Sequence, residues 1–174
     1  DTAEITTAKD PAIDLGQGAN TYIVSKAGTY SFTPEKVDGT PIDGIASANW
    51  IWATKADEND KEQKLLDNVA YAGGKIRFTT TGERGNAVIA AFDATGKSIW
   101  VWLIWCTEQP EEMEYENGGV FLDRFLGATA AEQTDGEATW GNILYQWGRN
   151  VPIYAGYDDE WGEEEVFNEA RKWT

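Results

Sequence analysis

One segment constrains the fold of this chain more than any other, because it is apolar along its whole length. Residues 99–106 read Ile-Trp-Val-Trp-Leu-Ile-Trp-Cys. Successive side chains of a strand point to opposite faces, so a strand here has two apolar faces. One face carries Ile99, Val101, Leu103 and Trp105, and the other carries Trp100, Trp102, Ile104 and Cys106. A sandwich strand normally meets the core on one face and water on the other, so we expect another part of the chain to cover this strand.

A second segment, residues 48–54, repeats the pattern, with Trp50 and Trp52 assigned to one face and Ile51 to the other. The C-terminal part of the chain has apolar side chains that can serve as the cover: Phe121, Phe125, Trp140, Tyr145 and Trp147. We expect this part to fold back over the sheet and to bury the indoles of Trp100 and Trp102. The alternative is that these tryptophans are exposed for binding.

The first half of the chain consists of short segments rich in Val, Ile, Thr and aromatic residues, separated by turn residues. The predicted strands are residues 20–25, 29–33, 48–54, 66–71, 75–81, 86–92 and 98–106. The short turn at residues 26–28 predicts a tight hairpin between the first two. This spacing favours an all-β fold, an antiparallel Ig-like or transthyretin-like β-sandwich with a C-terminal mixed segment wrapping one sheet.

Charge divides the chain into unlike parts. Residues 1–106 contain 14 acids and 10 bases, whereas residues 107–174 contain 16 acids and 4 bases. We expect a β-sandwich domain over residues 1–106, an acidic loop over 107–119 and a C-terminal wrapping segment over 120–174 that is too short to fold independently. Within the last part, residues 163–173 predict a short helix, with acids in its first turn and bases in its last.

Composition removes several classes of function. The chain has no histidine and a single cysteine, Cys106, which excludes a Ser/His/Asp triad, a Cys/His dyad and an intrachain disulfide. We expect no catalytic residue, no metal and no cofactor. A net charge of −16 disfavours nucleic acid and anionic membrane surfaces. The eight-residue apolar run is far shorter than the ~20 residues that span a bilayer, so we expect no membrane insertion by the chain itself.

Two clusters of acidic residues support a third hypothesis, that the chain is a glycosidase with two catalytic carboxylates. They are Glu108, Glu111, Glu112, Glu114 and Glu116, and then Asp158, Asp159, Glu160, Glu163, Glu164 and Glu165. A glycosidase needs two acids facing each other across a cleft, about 5 to 9.5 Å apart. Clustered acids on a polar background are more typical of a solvated surface.

The nine tryptophans favour an alternative hypothesis, a glycan-binding module, because sugar C–H faces pack against indole rings. The aromatic residues of this predicted platform and the acids that would accept hydrogen bonds from sugar hydroxyls are Trp140, Trp147, Tyr154, Tyr157, Asp158, Asp159 and Trp161. Tryptophans at strand spacing are more often part of a core, so both interpretations stay open.

Two regions resemble a known family. Residues 20–32, Asn-Thr-Tyr-Ile-Val-Ser-Lys-Ala-Gly-Thr-Tyr-Ser-Phe, are similar to an opening motif of fimbrillin-like surface proteins of Gram-negative anaerobic gut and oral bacteria. The pattern Trp-x-Trp-x-x-Trp in residues 100–105, Asp-Arg-x-Leu-Gly-Ala-Thr in 123–129 and Leu-Tyr-Gln-Trp-Gly-Arg in 144–149 resembles a three-part signature of the same proteins. Leu103 and Phe125 stand where the family usually has His and Asn.

The resemblance implies a noncatalytic extracellular protein at the cell surface or outer membrane, with a lipid anchor upstream of Asp1. It implies an adhesin or fimbrillin-like structural subunit, whose partners are other surface or fimbrial subunits or host and microbial glycans. Residues 1–18 are the candidate strand donor between subunits. The signature itself makes sense as a structural latch formed by Asp123, Arg124, Gly127 and Arg149.

Overall fold

The structure is a computed structural model, and it describes residues 11–54, 65–132, 141 and 143–154. The predicted helix at residues 163–173 lies outside the described residues. Twelve strands occur in the described part of the chain: β1 (Ile13–Gln17), β2 (Thr21–Val24), β3 (Gly28–Thr33), β4 (Ser47–Ala53), β5 (Leu66–Ala72), β6 (Lys75–Thr80), β7 (Gly85–Phe92), β8 (Ser98–Cys106), β9 (Glu112–Glu114), β10 (Val120–Leu122), β11 (Ile143–Tyr145) and β12 (Pro152–Tyr154). The seven predicted strands correspond to β2 through β8, each within one residue at either end.

Two four-stranded sheets form the body of the protein. The first has the strand order β1-β3-β6-β5, and the second has the order β2-β8-β7-β4. Alternate side chains from both sheets meet in one apolar core, where the Phe32 ring lies 5.2 Å from Trp102 and 6.4 Å from Phe78. This arrangement confirms the predicted all-β sandwich. Among the residues that the structure describes, no helix is long and apolar enough to cross a membrane.

The connection between β2 and β3 is a corner between the two sheets, so the predicted hairpin is wrong. β2 pairs with β8 in the second sheet, whereas β3 pairs with β1 and β6 in the first. Tyr22 from β2 and Phe32 from β3 stack at 4.4 Å from opposite sides of the core. The two strands lie in different sheets because both bury side chains in the core between those sheets. The short Lys26–Gly28 turn is compatible with this corner and with a hairpin.

Two strand pairs are parallel, which departs from the antiparallel sandwich that the sequence predicts. They are β2 with β8 and β1 with β3. Parallel neighbours need a crossover connection, and here each crossover passes through the other sheet or through several strands. The predicted donor segment, residues 1–18, contributes β1, and this strand occupies the edge beside β3 of its own chain.

The second sheet is covered on its outer face as well, which confirms the prediction of a wrapping C-terminal segment. Outward side chains of β7 and β8, among them Val88 and Leu103, form a second apolar cluster. Leu126, Ile143 and Val151 from the C-terminal part of the chain pack against it. The central strands β7 and β8 are therefore buried on both faces along most of their length.

The indoles and the covering side chains are not those predicted. Trp102 is fully buried between the two sheets, and Trp100 is half-buried on the same inner face, with the Lys36 ammonium 5.6 Å from the Trp100 ring centroid. The Trp105 indole donates a hydrogen bond to the C-terminal segment. The predicted covering residues Phe121, Phe125, Tyr145 and Trp147 are exposed, and Trp140 lies outside the described residues. Smaller side chains provide the cover instead.

A bulge in β4 changes the predicted faces of its tryptophans. Trp50 pairs with Ile89 and Trp52 pairs with Val88, so the register shifts between the two. One extra residue on one strand reverses the alternation of side chains beyond it. Trp52 consequently packs on the outer cluster together with Ile51, and Trp50 does not share its face.

The predicted acidic loop contains a strand. β9 lies within residues 107–119 and pairs with β10 as a small antiparallel hairpin, with Met113 opposite Phe121. Every residue of β9 and β10 is exposed. The hairpin projects from the sandwich and is not packed into it, which agrees with the solvated character of its five glutamates.

Candidate functional site

Two backbone carbonyls of the C-terminal segment accept hydrogen bonds from side chains of the second sheet. The buried amide Nδ2 of Asn86 on β7 donates a hydrogen bond of 2.8 Å to the Gly127 carbonyl oxygen. The indole Nε1 of Trp105 on β8 donates one of 2.9 Å to the next carbonyl oxygen, that of Ala128. Both donors are fixed by adjacent sheet strands, so the segment is held in one register on the sheet.

Gly127 is the point at which this segment turns. Its φ angle is +88°, and an added Cβ would overlap the Gly141 carbonyl oxygen and the Ile143 side chain. Glycine alone combines this backbone conformation with such a close approach. The close packing here brings residues 125–128 together with Gly141 and Ile143.

Asp123 and Arg124 form a charged pair beside that turn. The Arg124 guanidinium donates hydrogen bonds of 2.8 Å and 2.9 Å to the two carboxylate oxygens of Asp123, and a third of 3.0 Å to the Thr107 hydroxyl. Its side chain is 7% exposed. Because the Arg124 guanidinium favours the charged carboxylate, the pKa of Asp123 is lowered from its ordinary value. Three of the four predicted latch residues thus lie together at one turn.

A shallow pocket of about 500 Å³, lined mainly by polar residues, lies between the start of β2 and the β11–β12 hairpin. It is lined by residues from the start of β2 and from the β11–β12 hairpin: Asn20, Thr21, Tyr145, Gly148, Arg149 and Asn150. Tyr145 is 37% exposed, and the partial burial of its phenol raises the pKa of that group, a shift that a hydrogen bond with the Thr21 side chain opposes in part. The phenol is protonated at neutral pH, as ordinary tyrosines are, and can donate a hydrogen bond.

Two amides in this pocket have unpartnered polar atoms. Asn20 Oδ1, an acceptor, and Asn150 Nδ2, a donor, are both buried and have no hydrogen-bond partner in the described structure. An unpartnered buried polar group costs about 1–3 kcal/mol. Two residues that line the pocket, far apart in the sequence, thus carry one unused acceptor and one unused donor, both buried beneath its surface.

The predicted ligand residue Trp147 lies in the turn beside this pocket, next to the lining residue Gly148, and its side chain is fully exposed. Arg149, predicted as part of the latch, lines the pocket and does not lie with Asp123 and Arg124. Tyr154 ends β12, opposite Ile143. The remaining predicted ligand residues, Trp140, Tyr157, Asp158, Asp159 and Trp161, lie outside the described residues. The sequence analysis did not identify Asn20 or Asn150 as pocket residues, although Asn20 begins the opening motif of residues 20–32.

A second, apolar cleft of about 760 Å³ lies beside the β9–β10 hairpin. Its lining includes exposed Met113, Phe121 and Phe125, together with the Asp123 and Arg124 pair at one side. Asp123 is the one carboxylate among the described residues that line either pocket, and it is already paired with Arg124.

The fold and these sites together define an all-β sandwich whose outer sheet face is covered by an anchored C-terminal segment. Comparisons of the chain with protein-family models, with curated proteins and with solved structures found no match.

Proposed function

We propose that the chain is a noncatalytic extracellular surface protein, an adhesive or fimbrillin-like structural subunit that assembles by exchange of an edge strand. The observation that carries this proposal is the position of β1. Among the described strands, β1 lies at the edge of the first sheet and pairs with β3 alone. An edge strand leaves one row of backbone donors and acceptors unpaired, and it can be replaced by an equivalent strand of another copy.

The contacts of β1 support exchange, because most of its surface is exposed. Leu15 is the residue of β1 that packs against the core, and Asp14 forms an ion pair with Lys75 in which both side chains are largely exposed. Exposed ion pairs contribute about 0–1 kcal/mol. The free energy that holds β1 in place is therefore small compared with that of the central strands.

Strand exchange can give a closed dimer or an open assembly. Reciprocal exchange between two copies closes a dimer, whereas one-way exchange joins the donor strand of one copy to the acceptor edge of the next, which is a head-to-tail contact. Contacts of this kind generate filaments when the rotation between copies does not close a ring. A structural subunit of a surface fibre requires such a contact.

An intrachain disulfide tests the proposal. Asp14 and Ser31 are neighbours across the parallel β1–β3 pair, and neighbouring strands lie about 4.8 Å apart, within the span of a disulfide. In the double variant D14C/S31C, oxidation fixes β1 to its own chain. We expect refolding at high protein concentration to give dimers and longer species from the reduced variant and only monomers from the oxidised one, measured by size-exclusion chromatography. Identical monomer profiles for both forms would contradict strand exchange.

A further inference from the structure

We propose that the polar pocket between β2 and the β11–β12 hairpin binds a pyranose residue of a saccharide. The pocket is distinct from the β1 edge, so the proposal is independent of the proposed mode of assembly. Its volume of about 500 Å³ falls within the roughly 300–1,000 Å³ typical of small-molecule sites.

The two unpartnered amide atoms match the chemistry of sugar hydroxyls. A hydroxyl group both donates and accepts hydrogen bonds, so a pair of neighbouring hydroxyls can donate to Asn20 Oδ1 and accept from Asn150 Nδ2. Both atoms are shielded from water in the free protein, so binding requires a small rotation of each amide toward the pocket. That rotation replaces an unsatisfied donor and an unsatisfied acceptor with two hydrogen bonds, which favours the bound state.

Trp147 is an exposed aromatic residue that immediately precedes Gly148 of the pocket lining. Its side chain is fully exposed at the β11–β12 turn, although aromatic side chains usually bury most of their area. Gly148 lines the pocket and has no side chain to block access from the Trp147 side of the turn. A sugar ring whose hydroxyls reach the amides can pack its C–H face on this indole.

Arg149 determines which saccharides fit best. It lines the pocket, and its guanidinium forms no ion pair with any other described residue. A guanidinium has five donors and no acceptor, so it can bind sugar hydroxyls or, more strongly, a uronic acid carboxylate. Neutral and uronic saccharides both offer hydroxyl groups to the amides, but only uronic saccharides offer a carboxylate to Arg149.

Isothermal titration calorimetry with defined oligosaccharides tests the site on the full chain. The probes are hexasaccharides of glucan, xylan, mannan and galacturonan. We expect at least one to bind with a dissociation constant of about 1 mM or below. We also expect W147A and N150A each to weaken that binding about tenfold or more, since each loses one main contact. If R149A loses binding to galacturonan alone, Arg149 contacts the uronic acid carboxylate. If R149A loses binding to the neutral probes equally, Arg149 contacts sugar hydroxyls.

F125A is the matched control, because Phe125 is an exposed aromatic residue outside the pocket. Its affinity is expected to equal that of the unmodified protein. W147F, which keeps an aromatic ring, is expected to recover part of the affinity that W147A loses. Absence of binding for all four probes, or binding that W147A and R149A leave unchanged, would overturn the proposal. Circular dichroism spectra that match the unmodified protein show that a variant is folded.

Discussion

The indole Nε1 of Trp105 donates a hydrogen bond of 2.9 Å to the carbonyl oxygen of Ala128, and both groups are buried. This bond joins a central strand of the second sheet to the segment that covers it. The neighbouring bond from Asn86 to the Gly127 carbonyl oxygen repeats the connection on the adjacent strand. The turn at Gly127 and Ala128 is therefore part of the folded core, because its two carbonyl oxygens are satisfied by side chains of the sheet.

Substitution of Trp105 measures the contribution of this bond. W105F removes the indole donor and leaves the buried Ala128 carbonyl without it. W102F is the matched control, because Trp102 is equally buried and its Nε1 has no hydrogen-bond partner in the described structure. Both variants lose similar volume, so we expect W105F to be less stable than W102F by about 1–3 kcal/mol in urea unfolding. Equal losses would show that the bond contributes nothing.

Substitution of Gly127 tests the close approach at the turn. G127A forces a Cβ into the Gly141 carbonyl and the Ile143 side chain at a positive φ angle. G96A is the control, since Gly96 has a similar φ of +83° and nothing within 4 Å of an added Cβ. We expect G96A to cost about 1–2 kcal/mol from backbone strain alone, and G127A to cost about 1–3 kcal/mol more from overpacking. Thermal unfolding provides the comparison, and similar losses would contradict the close packing.

The Asp123–Arg124 pair predicts a pH dependence of stability. The folded-state pKa of Asp123 is lowered from 3.8, with the Arg124 hydrogen bonds as the largest cause. A lowered pKa gives stability that is fully present above the unfolded-state value and is lost as pH falls through the folded-state value. D123N is therefore expected to be less stable than the unmodified protein at pH 7, with the difference shrinking below about pH 4. Urea unfolding from pH 7 to pH 2 measures it, and a difference that is constant with pH would contradict the pairing.

Cys106 provides a test of the inner core. Its side chain lies between the sheets, and burial raises the pKa of the thiol to about 12. Since the thiolate is the reactive form, the folded protein should resist iodoacetamide at pH 8, and the urea-unfolded protein should react fully. Rapid labelling of the folded protein, followed by mass spectrometry, would show that this part of the core is open.

The positions of most sandwich strands can be predicted from the sequence, because apolar residues alternate along them. β8, apolar on both faces, correctly predicts a second covering layer. β1 lies within the predicted donor segment, residues 1–18, but it is not among the seven predicted strands, since Asp14, Gly16 and Gln17 weaken any strand pattern. The corner between β2 and β3 was misread, because a short glycine-containing turn fits both a hairpin and a crossing between layers. The β4 bulge could not be predicted either, because strict two-residue alternation assumes that a strand has no extra residue.

The candidate pocket was only partly accessible to sequence reasoning. Trp147 and Arg149 belong to a conspicuous aromatic motif, so both could be named as functional residues. Asn20 and Asn150 come together only through the parallel pairing of β2 with β8 and the folding back of the C-terminal segment over that sheet. Long-range contacts of this kind leave no local pattern in one sequence.

Fluorine NMR of the protein labelled with 5-fluorotryptophan tests most directly whether the C-terminal segment and the sandwich form one cooperative unit. Trp105 reports on the contact with that segment and Trp102 on the core between the sheets. Single Trp-to-Phe variants assign the two resonances, and both are followed through a urea titration. The structure predicts that both resonances change at the same urea concentration. A Trp105 signal that reaches its exposed position while Trp102 remains native would contradict it.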